Sequence, residues 1–248
     1  MKILHIAIAL ASITLAAYST PALAQYHIDL EGGYVDTGYN DIRIPAKGGT
    51  RFSLTQDLEA QPTYFYRGRA GYTFSDRHTV SFLAAPLRVV SLGTLRKDVR
   101  FGYIVFREGE YVETTFRFDS YRATYRYDFF TNESWRIGAG FTAKIRDASI
   151  KMESADLIAE EKNTGFVPIL NFNIEWKFAG PFSLLVNGDA LASPYGRAED
   201  VFAGFLYQAS KNVIVKLGYR ILEGGADNKT VYTFSQFNYA AAGVVILL

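Results

Sequence analysis

His27, Asp29 and Glu31 alternate onto one side of a short segment and have the residue types of an acid–base catalyst. An imidazole beside two carboxylates can take up and return a proton near neutral pH, provided a substrate reaches it. Ten basic residues fall on alternating positions elsewhere: Arg67, Arg69, Arg122, Arg126, Arg136, Lys144, Arg146, Lys177, Lys216 and Arg220. The acids on the matching faces are Asp29, Glu31, Asp128, Glu175 and Asp189. These sets suit two chemistries, mutual ion pairing or the guidance of anions past rings of cations. The chain has no cysteine, which excludes a thiol nucleophile, a disulfide framework and a cysteine metal site. "EGGADNKT" (223–230) has a calcium-compatible composition but lacks the regular spacing of oxygen ligands. An ordinary surface turn is expected there, and neither metal nor cofactor is expected anywhere.

What positions these residues is clearest in "RFDSYRATYRYDFF", residues 117–130, where arginines mingle with aromatic rings. Such a mixture serves single-stranded nucleic acid binding, where bases stack on rings beside a cationic groove. Charge balance argues against it. Residues 1–24, "MKILHIAIALASITLAAYSTPALA", have a lysine at position 2, an apolar run from Ile3 to Ala17 and a small-residue end, Ala22-Leu23-Ala24. This is the layout of a cleaved secretory signal peptide, and the apolar run is short for a spanning helix. The mature chain is expected to start at Gln25. It then has 25 basic and 25 acidic residues, and His5 is lost with the signal. A neutral exported chain lacks the cationic excess that phosphate binding needs, so no nucleic acid partner is expected.

Alternation supplies the elements. Tyr121, Ala123, Tyr125, Tyr127 and Phe129 lie on one face; Ser120, Arg122, Thr124, Arg126 and Asp128 lie on the other. After "TNES" (131–134), Trp135, Ile137, Ala139, Phe141, Ala143 and Ile145 oppose Arg136, Gly138, Gly140, Thr142, Lys144 and Arg146. Period two over this length marks strands with two environments, and the turn composition makes a hairpin. The same pattern recurs over 26–34, 64–74, 166–178 and 213–221, and more weakly over 79–91, 182–192 and 201–208. Short connections at 75–78, 131–134, 179–181 and 210–212 interleave with longer polar ones at 37–60, 93–112, 152–164, 193–199 and 223–231. Ten strands result, with both termini on the short-turn side; eight is the alternative count.

The fold class expected is all-β, a closed antiparallel up-and-down barrel. Three features favour a membrane barrel, in which rings face lipid and charges face the lumen. Turn lengths are asymmetric, strands have the length of a tilted bilayer span, and aromatics gather at strand ends. Phe74, Phe129, Trp135, Trp176 and Phe178 are the expected interface rings. The whole mature chain, 25–248, thus resembles the bacterial outer-membrane β-barrel superfamily. Its end, "GVVILL" (243–248), resembles the Gly-x-x-apolar-x-apolar signal for barrel assembly, with Leu248 in place of the usual aromatic residue. The last strand's parity changes between Phe237/Tyr239 and Ile246/Leu248, which a bulge would reconcile. A helical anchor over the uncharged run 230–248 is the rival for this segment.

The resemblance implies an integral outer-membrane location, periplasmic termini, and contact with outer-membrane lipid, lipopolysaccharide and the barrel-assembly machinery. The expected role is structural or surface-interacting, with a charged, plugged lumen. A narrow anion-preferring pore is the alternative, and a lipid- or peptide-processing enzyme follows. Enzymes of this superfamily, such as omptin-type proteases, lipid A deacylases and palmitoyl transferases, use a histidine with an acid or a serine near the membrane edge. Here His78 is expected in a short turn and His27 at the periplasmic start of the first strand, so no enzyme is expected. Arg122 and Arg126 are expected to meet Asp29, Glu31 or Glu175. "MESADLIAEEK" (152–162) is acidic enough to form a short surface helix that bridges divalent cations to lipopolysaccharide phosphates.

Overall fold

The computed structural model of the protein describes residues 25–194 and 196–248, so the signal segment 1–24 with His5 lies outside the described residues. Ten barrel strands run in chain order. They are β1 (Gln25–Arg43), β2 (Thr63–Phe74), β3 (His78–Ala85, continued as Arg88–Thr94), β4 (Tyr111–Thr131) and β5 (Trp135–Glu153). Then come β6 (Ile158–Ala179), β7 (Phe182–Ser193), β8 (Gly196–Gln208), β9 (Val213–Asp227) and β10 (Tyr232–Leu247). Each pairs antiparallel with the next, and β10 pairs with β1, from His27 opposite Leu247 to Arg43 opposite Tyr232. Closure leaves no free sheet edge along that seam, which a backbone surrounded by hydrocarbon requires. β3 is interrupted at Pro86, which has no N–H to give a ladder, and both its pieces pair with β4.

The strands are far longer than a bilayer needs. β4, β5 and β6 have 21, 19 and 22 residues. At ~3.4 Å per residue they reach about 65 Å or more, whereas the hydrocarbon layer is ~30 Å thick. The excess lies at the end away from the termini. There the expected helix at 152–162 is absent: β5 and β6 run straight into a tight turn in which the Ser154 N–H donates to the Leu157 carbonyl at 2.8 Å. The expected long loops at 193–199 and 223–231 are likewise short tips on extended hairpins. On β4 and β5 alternation persists here in the reverse sense, with Arg117, Asp119, Asp147 and Lys151 outward and Val112, Phe116, Ile150 and Met152 inward.

Two true loops remain, 44–62 and 95–110, and they fold inward. Leu54, Leu58, Leu95, Val99, Phe101 and Phe106 are buried with Ile42, Val112, Phe116, Ile150 and Met152. This apolar core sits inside the far end against β1, β3, β4 and β5. Val99–Phe101 and Ile104–Phe106 form a small hairpin within it.

The last strand is regular. Phe237, Tyr239 and Ala241 are buried inside, and Leu248 is exposed outside, without a break in register against β9. The expected bulge instead lies on β1, between Thr37 and Tyr39. The run 230–248 is therefore a barrel strand and not a helical anchor.

A charged core within an apolar belt

Alternation puts three arginines from β2, β4 and β9 at one level inside the barrel, and all three converge on Asp200 of β8. Arg122 donates to Asp200 at 2.5 Å and to Asp189 at 2.6 Å. Arg67 reaches Asp200 at 3.2 Å, and Arg220 donates to its other oxygen. Arg220 also donates to Glu31 at 2.7 Å, and Lys216 meets Glu31 at 2.8 Å and Asp29 at 2.5 Å. Asp189 is completed by Thr142 at 2.7 Å and Asn171 at 2.8 Å. Arg67, Arg122, Lys216, Arg220, Glu31, Asp189 and Asp200 are all buried. Phe202 fills the space beside them, with Lys216 and Arg220 over its ring.

Below this cluster, toward the termini, Arg126 binds Asp128 at 2.8 Å and Asn173 at 3.4 Å, and Arg136 joins Asp128 at 3.3 Å. Asp128 needs room that only a glycine opposite provides: a Cβ on Gly138 would collide with its carboxylate. The partners expected for Arg122 and Arg126 are thus corrected, since neither touches Asp29, Glu31 or Glu175. Proximity across the barrel decides these pairs, and sequence separation does not report it. Asp200 was not among the expected residues. It belongs to the row Asp200, Phe202, Gly204 and Leu206, which extends one residue beyond the alternation read from 201–208.

The remaining expected residues are more scattered. Arg69 donates to Ser81 at 3.1 Å. Arg146 binds Asn163. Lys144 is buried and lies 4.9 Å from the centre of the Phe118 ring. Glu175 is half-buried, and Lys177 is exposed at the terminal end. His27 lies across Gly71, where a Cβ would strike its ring. His78 is the first residue of β3 rather than part of a turn; it faces outward, stacks on Phe74 and hydrogen-bonds the Tyr125 hydroxyl at 2.8 Å.

The outer surface is apolar in a band. Leu30, Phe82, Phe141, Leu170, Phe205 and Leu217 are exposed on it. At the terminal end the band closes with a chain of rings: Trp135 on Trp176 at 5.6 Å, then Phe178, Phe182 and Tyr207. Phe129 is exposed near the same turn. At the far end the outward rows turn charged, at Asp36, Asp119, Asp147, Glu199 and Glu223. Two outward clusters sit at this level. Arg117 binds Asp119 at 2.9 Å and Asp147 at 2.7 Å, and Arg197 joins Glu223 and Tyr39.

No family model matches the chain, and no curated protein is detectably similar to it. Among solved structures, it superimposes on the outer membrane protease OmpT of Escherichia coli with a TM-score of 0.60 and 8% identity, covering 94% of this chain and 99% of OmpT. The chain has the fold of a bacterial outer-membrane β-barrel. Two further matches are Ail, the attachment invasion locus protein of Yersinia pestis, and Neisserial surface protein A. Ail aligns at 11% identity and a TM-score of 0.39, over 90% of this chain and 99% of Ail. The Neisserial protein aligns at 16% and 0.34, over 89% of this chain and 96% of its own.

In an outer-membrane barrel the apolar band faces lipid between aromatic girdles at both interfaces. The tryptophan-rich chain marks the terminal edge here, and exposed Tyr34, Tyr64 and Tyr121 mark the far edge just below the charged rows. The band spans about ten residues along β6, from Trp176 to Phe166, which matches the ~9–11 residues of a tilted membrane strand. Beyond it the mouth is held by polar contacts. In the 95–110 loop the Glu108 N–H and the Arg107 guanidinium hold the Asp98 carboxyl below the usual carboxylate range.

Proposed function

We propose that the chain is an integral outer-membrane barrel with a closed lumen and a role at the cell surface. It is exported by its first 24 residues, with both termini periplasmic and the far end outside the cell. Convergence of Arg67, Arg122 and Arg220 on Asp200 supports the closed lumen. Side chains from β2, β4, β8 and β9 meet at one level and occupy the cross-section. One void beside them measures about 20 Å³, which holds roughly one water. Lipid and lipopolysaccharide would contact the band and the outward ion pairs. The assembly machinery would engage β10 through Gly243–Leu248.

An anion-preferring pore is the second reading, favoured by one observation. Five arginines, Arg67, Arg69, Arg122, Arg126 and Arg220, line that void against two acids, Asp189 and Asp200. Planar-bilayer recording separates the two. Purified protein should give no unitary currents, and anion-selective steps would replace the closed reading with the pore. Proteolysis is not proposed, although OmpT is a protease. Among the described residues the histidines are His27 and His78, both at the terminal end, away from extracellular peptide and outer-leaflet lipid. His27→Ala should leave lipid A and protease profiles unchanged.

A further inference from the structure

The far end of the barrel is filled on one side only. The inward-folded loops occupy the side of β1 to β5, and a cavity of about 640 Å³ remains beside β5 to β10. That volume lies within the ~300–1,000 Å³ typical of small-molecule sites. Phe116, Phe118, Val167, Leu191, Leu222 and Phe237 give it apolar walls. The loops roof it: the Ala46 N–H donates to the Thr230 carbonyl at 2.8 Å, and the Gly102 N–H to the Ile44 carbonyl at 2.9 Å.

Into this apolar space points Lys144, 4% exposed. Among the described residues its ammonium has no carboxylate within ion-pair distance and no hydrogen-bond acceptor, only the Phe118 ring. The next inward residue on β5 is Arg146, whose buried Nε also lacks a partner. A buried cation without a counter-charge is costly to keep. An incoming anion would supply what both side chains lack.

The wall beside the cavity is open. β6 pairs with β7 only as far as Leu170 opposite Ala190, so residues 158–169 of β6 pair with β5 alone. Pro168, which has no N–H, stands where the two strands part. A similar gap between β2 and the upper part of β3 is closed by Glu59 and Ala60, paired to Leu92 and Ser91. No described backbone hydrogen bond closes the gap at β6 in that way. The notch begins between the outward-facing Phe166 and Leu170, at the upper edge of the lipid-facing band. A molecule lying in the membrane could pass sideways into the cavity at the foot of the notch, between Phe166 and Leu170.

We propose that this cavity binds a single-chain amphiphile with one anionic headgroup, of the long-chain carboxylate class. Its carboxylate pairs with Lys144 and Arg146. Its tail lies against Phe116, Phe118 and Phe237, and the β6–β7 notch is its way in. The proposal rests on the membrane-embedded part of the function above and is independent of whether the lumen conducts.

Equilibrium binding of radiolabelled laurate to the barrel in phosphatidylcholine nanodiscs tests it, with empty nanodiscs subtracted and dodecanol as the uncharged control. Laurate should bind saturably, one per barrel. A charge-assisted contact predicts roughly tenfold weaker binding in Lys144→Met, recovery in Lys144→Arg, and a comparable preference for laurate over dodecanol in the unmodified barrel. No saturable laurate binding, equal binding of laurate and dodecanol, or indifference to Lys144→Met overturns the proposal. Should Lys144→Met fail to fold, Leu191→Trp decides: by filling the cavity from the opposite wall it must weaken laurate binding, and unchanged affinity overturns the proposal. A chain that does not enter nanodiscs overturns the membrane reading as well, whereas one that enters and ignores laurate overturns only this one.

Discussion

Asp200 accepts hydrogen bonds from arginines on three other strands, so its removal leaves three buried guanidinium groups short of a counter-charge. Breaking a buried ion network from one side costs about 3–5 kcal/mol. Asp200→Asn should therefore lose that much in urea-induced unfolding from lipid vesicles. Asp41→Asn, which breaks the exposed pair with Arg51 at 3.2 Å, should lose about 1 kcal/mol or less. Equal losses would mean the interior network is solvated and the lumen open. Thr142 belongs to the same network through Asp189 and Thr124, so it is no neutral inward position despite its small polar side chain. At this scale the sequence showed which charges share a face, since that follows from parity along one strand. It did not show which acid meets which base, because Arg122 and Asp200 lie 78 positions apart. Asp200 itself was hidden by its neighbours: Arg197 and Glu199 made the start of its strand look like a polar loop.

A strand in this barrel separates two media, and substitutions on its two faces fail for different reasons. Phe141 is 70% exposed at the middle of the apolar band on β5. Phe141→Arg should cost ~2–4 kcal/mol by placing a charge in lipid near the midplane. Glu113→Arg, at an exposed outward position of the neighbouring β4 beyond the band, should cost much less, and similar unfolding midpoints for the two variants would misplace the membrane. Strand identity was legible wherever lipid met lumen, because two media impose period two. The alternation changed sense above the band, where Asp147, Lys151 and Glu153 of β5 face outward and Ile150 and Met152 face the apolar core inside. The acidic composition there suggested a helix, yet cross-strand pairing carries the hairpin to its tip at Ser154–Leu157. The apolar residues of loops 44–62 and 95–110 have no regular period, so their inward core could not be read from spacing.

For the molecule as a whole, the two ends differ in construction. The terminal end has tight turns and a ring of Trp and Phe; the far end rises well beyond the lipid band and holds the loops, the cavity and the outward ion pairs. Closure was legible from the even strand count and from charges confined to one face. In the proposed reading the export signal decides which end meets the outside, because a chain delivered to the periplasm and inserted from there would leave its short turns and termini behind. An epitope inserted between Ala155 and Asp156, at the exposed tip of the β5–β6 hairpin, preserves the ladder on both sides. It should be labelled by antibody on intact cells. The same epitope between Asn132 and Glu133, in the β4–β5 turn, should be labelled only after the outer membrane is permeabilised. Labelling in the opposite order would invert the barrel. The β6–β7 notch would then open toward the inner leaflet, and His27 and His78 would lie at the cell surface, where peptide and outer-leaflet lipid are available to them.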